Sequence, residues 1–324
     1  MKAITCTEYG SPDVLKLSEV DRPTPKDHEV LMRILASSVN PLDWRLLRGR
    51  PFFTRLLMGG LRRPKPTRPG VDVAGRVDAI GRSVTGFKPG DEVFGTCRGA
   101  FAESACAAEE KLAPKPAEVP FEEAAAVPVA AISALQALRD KGGIRPGQKV
   151  LIDGASGGVG TFAIQIARQF GADVTAVCST GNVDRARSLG ADHVIDYTRE
   201  DFTKSGERYD LIVAANSHRP ILDYRRALRR DGTYVMVGGG WSQIFQAVLL
   251  GPLLSRIGSM KMTFFVARIN RTDLAFLGDL LAARKIVPVI DRRYPLSDVA
   301  EAVRYLEDGH AKGKVVITVE HPDV

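Results

Sequence analysis

Apolar positions along this chain follow one pattern up to about residue 120 and another after it. The first stretch holds short alternating runs. Met1 to Thr5, Val14 to Val20 and Glu29 to Ala36 read as strands between Pro and Gly signals. Gly70 to Gly81 alternates small and apolar residues, and its glycines suggest close backbone approach. Lys88-Pro89-Gly90-Asp91 reads as a turn before the short strand Glu92 to Gly95. An irregular β-rich unit is expected. From Phe121 to Asp140 the chain is rich in Ala and Leu and reads as helical, with Pro128 interrupting or restarting it. After Gln148, strands are expected at 149–153, 174–178, 193–197, 210–215 and 233–237, with helices at 158–170, 182–189 and 220–229. Such alternation predicts a parallel sheet with right-handed crossovers. The tail predicts a helix at 272–284, a strand at 287–291, a helix at 298–307 and a last strand at 314–319.

Composition narrows this picture. A length of 324 residues suggests two domains. The N-terminus has no apolar run followed by a small-residue cleavage site, so no secretory signal is expected and a cytoplasmic location is. No apolar run is long enough to span a bilayer. Cys6, Cys97, Cys106 and Cys178 show no CxxC spacing, which favours free thiols over disulfides and excludes a structural zinc lobe. The net charge of +7 gathers partly at Arg62-Arg63-Pro64-Lys65 and at Arg225-Arg226 with Arg229-Arg230. No nucleic-acid motif accompanies these clusters, so they read as a solvated basic surface and no nucleic-acid partner is expected.

The stretch Val150 to Thr180 carries the chemistry. An apolar strand, Lys149 to Asp153, runs into glycines, and then Val159, Phe162, Ala163, Ile166, Ala167 and Phe170 recur at helical spacing. The glycines therefore sit at a strand-to-helix turn, as a dinucleotide fingerprint requires. The register is Ala155-x-Gly157-x-x-Gly160. Gly157 would let a pyrophosphate approach, and Gly160 would let the helix pack on the strand. Amides near Gly158 and Val159 would face phosphates, with Ser156 as a further donor. The bland reading is a tight turn with no ligand. The second strand ends in Ser179-Thr180, with no carboxylate for a ribose 2′-hydroxyl, and Arg185 follows. Hydroxyls and an arginine suit a 2′-phosphate, which favours NADP(H); Arg185 also fits a solvated helix position. Tyr197 either contacts the adenosine phosphate or covers the sheet edge.

Several stretches then show a family likeness. Asn40-Pro41-Leu42-Asp43-Trp44, Gly70-Val-Asp-Val-Ala-Gly75, Lys88 to Val93, Ala124 to Pro128, Gly154 to Gly160 and Leu189 to Tyr197 span most of the chain. In this order they resemble the medium-chain dehydrogenase/reductase superfamily, most nearly its zinc-independent quinone oxidoreductases and enone reductases. The resemblance implies an α/β fold. It consists of a GroES-like β-rich catalytic domain, residues 1–120 and 286–324, and a doubly wound parallel-sheet Rossmann domain, residues 121–285. Zinc members of the superfamily place a Cys and a His where this chain has Asn40 and Val71, and neither residue ligates zinc in that way. His28, His193, His218, His310 and His321 show no metal spacing.

The implied activity is metal-free hydride transfer from NADPH to a quinone or an α,β-unsaturated carbonyl, an acceptor that delocalises its own charge. The resemblance places Asn40, Asp43 and Trp44 at the acceptor, with Asn40 as a donor to its oxygen. Asp43 orients the acceptor or caps a helix. Ser133 touches the nicotinamide or packs its helix, Gly238 and Gly239 pass near the nicotinamide, and Phe264 and Phe265 wall the pocket or the core. A homodimer is also implied. An alcohol or aldehyde reductase of the same superfamily is the nearest alternative. A cofactor-binding protein with an RNA- or membrane-associated role is the more distant one. Trp241 to Phe265 is rich in apolar residues, is expected to break at Gly251-Pro252 and is too short to span a bilayer. It would cap the pocket, form a dimer surface, or rest on a membrane beside the Arg-rich Phe52–Arg63.

Overall fold

The computed structural model describes residues 1–52, 55, 60–65, 67–216, 218–309 and 311–321. Positions 53, 54 and 56–59 of the Arg-rich stretch, and His310, lie outside the described residues. In chain order the first elements are β1 (Lys2–Thr5), β2 (Lys16–Glu19), β3 (Glu29–Val39), α1 (Pro41–Arg48), β4 (Asp72–Ile80), β5 (Glu92–Thr96), β6 (Ser104–Ala108) and β7 (Leu112–Pro114). Next come α2 (Phe121–Ala125), α3 (Pro128–Gln136), β8 (Lys149–Asp153), α4 (Gly158–Gln169), β9 (Asp173–Cys178), α5 (Val183–Ser188), β10 (His193–Asp196) and β11 (Tyr209–Ala214). The rest are α6 (Ile221–Ala227), β12 (Leu228–Met236), α7 (Trp241–Arg256), β13 (Lys261–Phe264), α8 (Arg271–Ala282), β14 (Ile290–Pro295), α9 (Val299–Glu307) and β15 (Lys314–Thr318).

The chain divides into two compact units. One comprises Met1–Val129, Ile269–Arg284 and Ile290–Val324; the other comprises Ala130–Arg268 and Lys285–Val289. Two boundaries differ from the expected 120/121 and 285/286. Helix α2 packs on β3 and β4, so the first unit runs on to Val129. Helix α8, expected in the dinucleotide half, lies in the first unit because it packs on β7. There Gly278 brings it against Phe94 and Pro116.

In the first unit the strands run β14-β15-β3-β4-β5-β7, with β6 also on β3. Strand β3 is long and buried along most of its length, since it pairs with β15, β4 and β6. Its core joins Ile34, Val73 and Val93 to Val299 of α9 and Ile317 of β15. The last strand thus returns to the opening sheet, and that return sets the site in the first unit.

In the second unit, among the described residues, six strands pair in the order β10-β9-β8-β11-β12-β13. All of the pairings are parallel. This 3-2-1-4-5-6 order reverses direction between β8 and β11, the crevice where open α/β sheets bind ligands. Pro128 restarts a helix, as one of the two expectations for it had it. The expected break at Gly251-Pro252 does not occur, and α7 is continuous. Gly251 is buried against the Met262 carbonyl, which holds the helix on β13. The carbonyl that would have received the missing Pro252 N–H belongs to exposed Val248, where water can take its place.

Candidate active site

In the first unit the pairing register assembles a buried polar cluster. Val39 lies opposite Val315 and Ser38 opposite Asp72, so Ser38, Asn40, Asp72 and Lys314 meet at one end of the sheet. The Oδ2 atom of Asp72 accepts from Ser38 Oγ at 2.6 Å, Asn40 Nδ2 at 2.8 Å and Lys314 Nζ at 3.1 Å. Its Oδ1 accepts from the Val129 amide at 3.0 Å. Lys314 Nζ also donates to Asn40 Oδ1 at 2.8 Å. Asp72 is wholly buried and Lys314 is 3% exposed, so each charge depends on the other.

Asn40 and Asp43 lie together at the start of α1. Asn40 is the N-cap of α1, and Asp43 Oδ2 accepts from the Asn40 amide at 2.7 Å. The Asn40 side chain points inward, with Nδ2 donating to Asp72 and, at 3.4 Å, to the Ser38 carbonyl. A substrate oxygen would have to compete with both for the donor role expected of it. Trp44 is half-buried against the core of this unit, with the Arg45 guanidinium 5.3 Å from its ring. Asp43 is 6% exposed, and burial pushes its carboxyl up to about 7, against the lowering effect of the Asn40 amide. It lines a cavity of about 450 Å³ with Tyr9, Leu47, Arg68, Gly70 and Phe101.

This donor set does not fit a zinc centre. Val71 offers no ligand atom, the Asn40 side-chain Oδ1 already accepts from an ammonium, and Asp72 Oδ2 holds three donors. Among the described residues no group of three His, Cys, Asp or Glu side chains is disposed to hold a metal ion. The four cysteines are free, and burial raises the thiols of Cys6, Cys97, Cys106 and Cys178, so none is poised as a thiolate.

In the second unit the turn after β8 fits a diphosphate. Gly157 caps α4, and the first intrahelical bond runs from the Thr161 amide to the Gly157 carbonyl at 2.9 Å. The amides of Gly158, Val159 and Gly160 donate to no acceptor among the described residues. A Cβ on Gly157 would meet only the Gly154 carbonyl, at 3.6 Å, so the space over it is open. A Cβ on Gly160 would lie 2.2 Å from that oxygen, so the helix presses on the loop there. Ala155 is buried under the turn, and Ser156 lies on it.

Because the strands are parallel, their C-terminal ends share one edge, and most of the remaining expected residues gather there. Ser179 and Thr180 follow β9, Tyr197 follows β10, Gly238 and Gly239 follow β12, and Phe264 ends β13 with Phe265 next. Tyr197 is 55% exposed, while Phe265 is buried near Lys141 Nζ. Arg185 lies half-buried on α5. Ser133 is buried within α3, away from that edge in sequence. The sequence reading missed Asp196. It lies beside Cys178 in the register and accepts from the hydroxyls of Thr180 and Thr198, and the Thr180 bond holds its carboxyl below the usual range. Its place within Ile195-Asp196-Tyr197, a stretch already singled out, was the available signal. Lys314 was missed too, and its signal was a lysine opening the apolar run Val315-Val316-Ile317.

Two family models match the chain, an alcohol dehydrogenase GroES-like domain over residues 26–117 and a zinc-binding dehydrogenase domain over residues 189–317. A chloroplast envelope quinone oxidoreductase homolog of Arabidopsis thaliana is 34% identical over 333 residues, 98% of each chain. An NADPH-dependent alkenal/one oxidoreductase of the same plant is 34% identical over 98% of this chain and 79% of its own. The solved quinone oxidoreductase from Coxiella burnetii superposes with a TM-score of 0.87 at 30% identity, over 99% of both chains.

Proposed function

Because the chain belongs to the medium-chain dehydrogenase/reductase superfamily, whose dehydrogenases use NAD(P), we propose that it is an NADPH-dependent reductase of quinones or α,β-unsaturated carbonyls that works without a metal. Two relatives at 34% identity that bear quinone and alkenal/one oxidoreductase names support the acceptor class. The observation that carries the metal-free part is the Asp72–Lys314 pair, in which a buried ammonium already neutralises the carboxylate. Alcohol oxidation calls for a Lewis acid at the alkoxide, whereas a conjugated acceptor spreads the incoming charge itself.

In this reading the second unit holds the dinucleotide and the first unit holds the acceptor. The free amides at the start of α4 bind the diphosphate, and Ser179, Thr180 and Arg185 receive the 2′-phosphate. In the free chain the Thr180 hydroxyl donates to Asp196, so it meets the 2′-phosphate only by giving up that bond. Bound NADPH supplies a hydride to the β-carbon of the enone or to the quinone. Asp43, protonated in part near neutral pH, gives one proton to the resulting oxyanion and regains it from water. Asn40 and Lys314 hold Asp72, and Asn40 carries Asp43 through its amide. Initial rates of NADPH and NADH consumption with a quinone, an enone and an aldehyde, before and after chelation, test this. Quinone or enone turnover that survives chelation is expected. Turnover of the aldehyde alone, or loss on chelation, overturns the proposal.

A further inference from the structure

The basic run at Arg62-Arg63-Pro64-Lys65 leads into the wall of a cavity. The space of about 450 Å³ that Asp43 lines is also bordered by Lys65, Arg68 and Arg98. Backbone bonds bring these cations together. The Cys6 amide donates to the Thr67 carbonyl at 2.7 Å, which ties the residue after β1 to the one before Arg68. The Cys97 amide donates to the Val71 carbonyl at 2.9 Å and the Gly99 amide to the Gly70 carbonyl at 3.1 Å, so the turn bearing Arg98 lies along the loop bearing Arg68. Gly99, at a φ of 76°, makes that turn. A Cβ on Gly99 would lie 3.1 Å from Arg68 Cβ, so the two arginines spring from adjoining backbone.

Lys65, Arg68 and Arg98 form no ion pair among the described residues, whereas Arg48, Arg76 and Arg304 of the same unit are each held by a carboxylate. Lys65 and Arg98 are exposed and Arg68 is half-buried, while Asp43 is buried, so the cations stand at the mouth and Asp43 in the interior. Among the described residues Asp43 is the single carboxyl on the wall. The Tyr9 hydroxyl, also on the wall, already donates to the Gly60 carbonyl at 2.6 Å. Leu15, Phe101 and Val303 supply buried apolar surface. Three cations beside low-dielectric walls, with no counter-charge, focus a positive potential on the entrance. The volume lies within the ~300–1,000 Å³ of small-molecule sites.

We propose that this cavity selects acceptors that carry an acidic oxygen group, a carboxylate or a phosphate, on an apolar body. Lys65, Arg68 and Arg98 receive the acidic group at the mouth, and the conjugated carbonyl reaches inward toward Asp43. An arginine fork meets either group through two parallel N–H···O bonds. The inference rests on the reductase reading above and adds the charge of its substrate.

Initial rates with NADPH test it on three forms of one conjugated enone: a terminal carboxylate, a terminal phosphate, and the methyl ester of the acid. The value of kcat/KM for a charged form should exceed that for the ester at least about tenfold, and added salt should shrink the difference. Arg68→Gln/Arg98→Gln should lower the ratio of charged form to ester at least about tenfold, and Arg68→Lys/Arg98→Lys should restore part of it. Calorimetric titration of the free chain with the saturated acid and the saturated phosphate needs no turnover. Binding of one of them by the intact chain, lost in Arg68→Gln/Arg98→Gln, is expected. Equal kcat/KM for the three forms overturns the inference and leaves the reductase reading standing. A saturated acid and phosphate that both fail to bind, or that bind the variant as they bind the intact chain, overturn it as well. Binding lost in the variant, with no turnover of any form, overturns the reductase reading and upholds the cations as the site of an acidic ligand.

Discussion

Replacing Lys314 with methionine isolates the charge in the buried cluster, because Met keeps most of the aliphatic stem and loses the ammonium. In the intact protein Nζ bonds Asp72 Oδ2 at 3.1 Å and Asn40 Oδ1 at 2.8 Å. The variant leaves Asp72 with Ser38 Oγ, Asn40 Nδ2 and the Val129 amide but no counter-charge. Stranding one member of a buried pair costs about 3–5 kcal/mol. The three donors that remain place this case near ~3 kcal/mol. For a unit of this size that lowers the melting temperature by roughly 6–12 °C. Urea unfolding followed by tryptophan fluorescence reads it, since Trp44 lies in the first unit and Trp241 in the second. The loss should appear in the transition that Trp44 reports. Asp72→Asn/Lys314→Met should recover most of it, because the double variant buries no charge. A loss below about 1 kcal/mol, or a double variant less stable than either single one, would refute the argument that Asp72 depends on this ammonium.

The two loop glycines should behave oppositely. Gly157→Ala should cost the free protein less than about 1 kcal/mol yet weaken NADPH at least about tenfold, as read by calorimetry, because its methyl stands where the diphosphate comes. Gly160→Ala, whose Cβ would meet backbone at 2.2 Å, should lower the melting temperature of the free protein by a cost of about 1–3 kcal/mol. Arg185→Ala should weaken NADPH by about 1.5–3 kcal/mol and leave NADH nearly unchanged; equal effects would remove it from the 2′-phosphate site. Burial raises the Asp43 carboxyl from 3.8 to about 7, so the folded state binds this proton more tightly than the unfolded state does. Its contribution to stability therefore falls as pH climbs from about 4 to about 7 and is flat above that, a change of up to roughly 4 kcal/mol. Asp43→Asn should flatten that slope in urea titrations run across this range and slow enone reduction.

The elements of the second unit were readable wherever periodicity was local. The expected strand 149–153 and helix 158–170 match β8 and α4 to within a residue, because an apolar run, a glycine turn and an amphipathic face adjoin in sequence. Strand β13 was not foreseen, since Lys261 to Phe264 is four residues at the end of a long apolar stretch. The continuity of α7 was hidden as well. Pro252 reads as a break in sequence, and only the contact of Gly251 with Met262 shows why the helix persists. The Asp72 cluster joins positions 38, 40, 72, 129 and 314, and no short-range pattern links them. In sequence Asp72 is one carboxylate within the run Gly70 to Gly75. It became part of a site once the last strand delivered Lys314 opposite Asn40. Asp196 is not legible because the dinucleotide pattern points to the end of the second strand, while the third strand supplies a carboxylate at the same edge.

Reductase activity of this kind requires the second unit to hold a reduced nicotinamide dinucleotide by the open amides at the head of α4. Calorimetric titration of the purified chain with NADPH, with NADH run beside it, tests this most directly. One equivalent of NADPH bound with measurable heat, and more tightly than NADH, is the expected result. A flat titration with both dinucleotides would contradict the account.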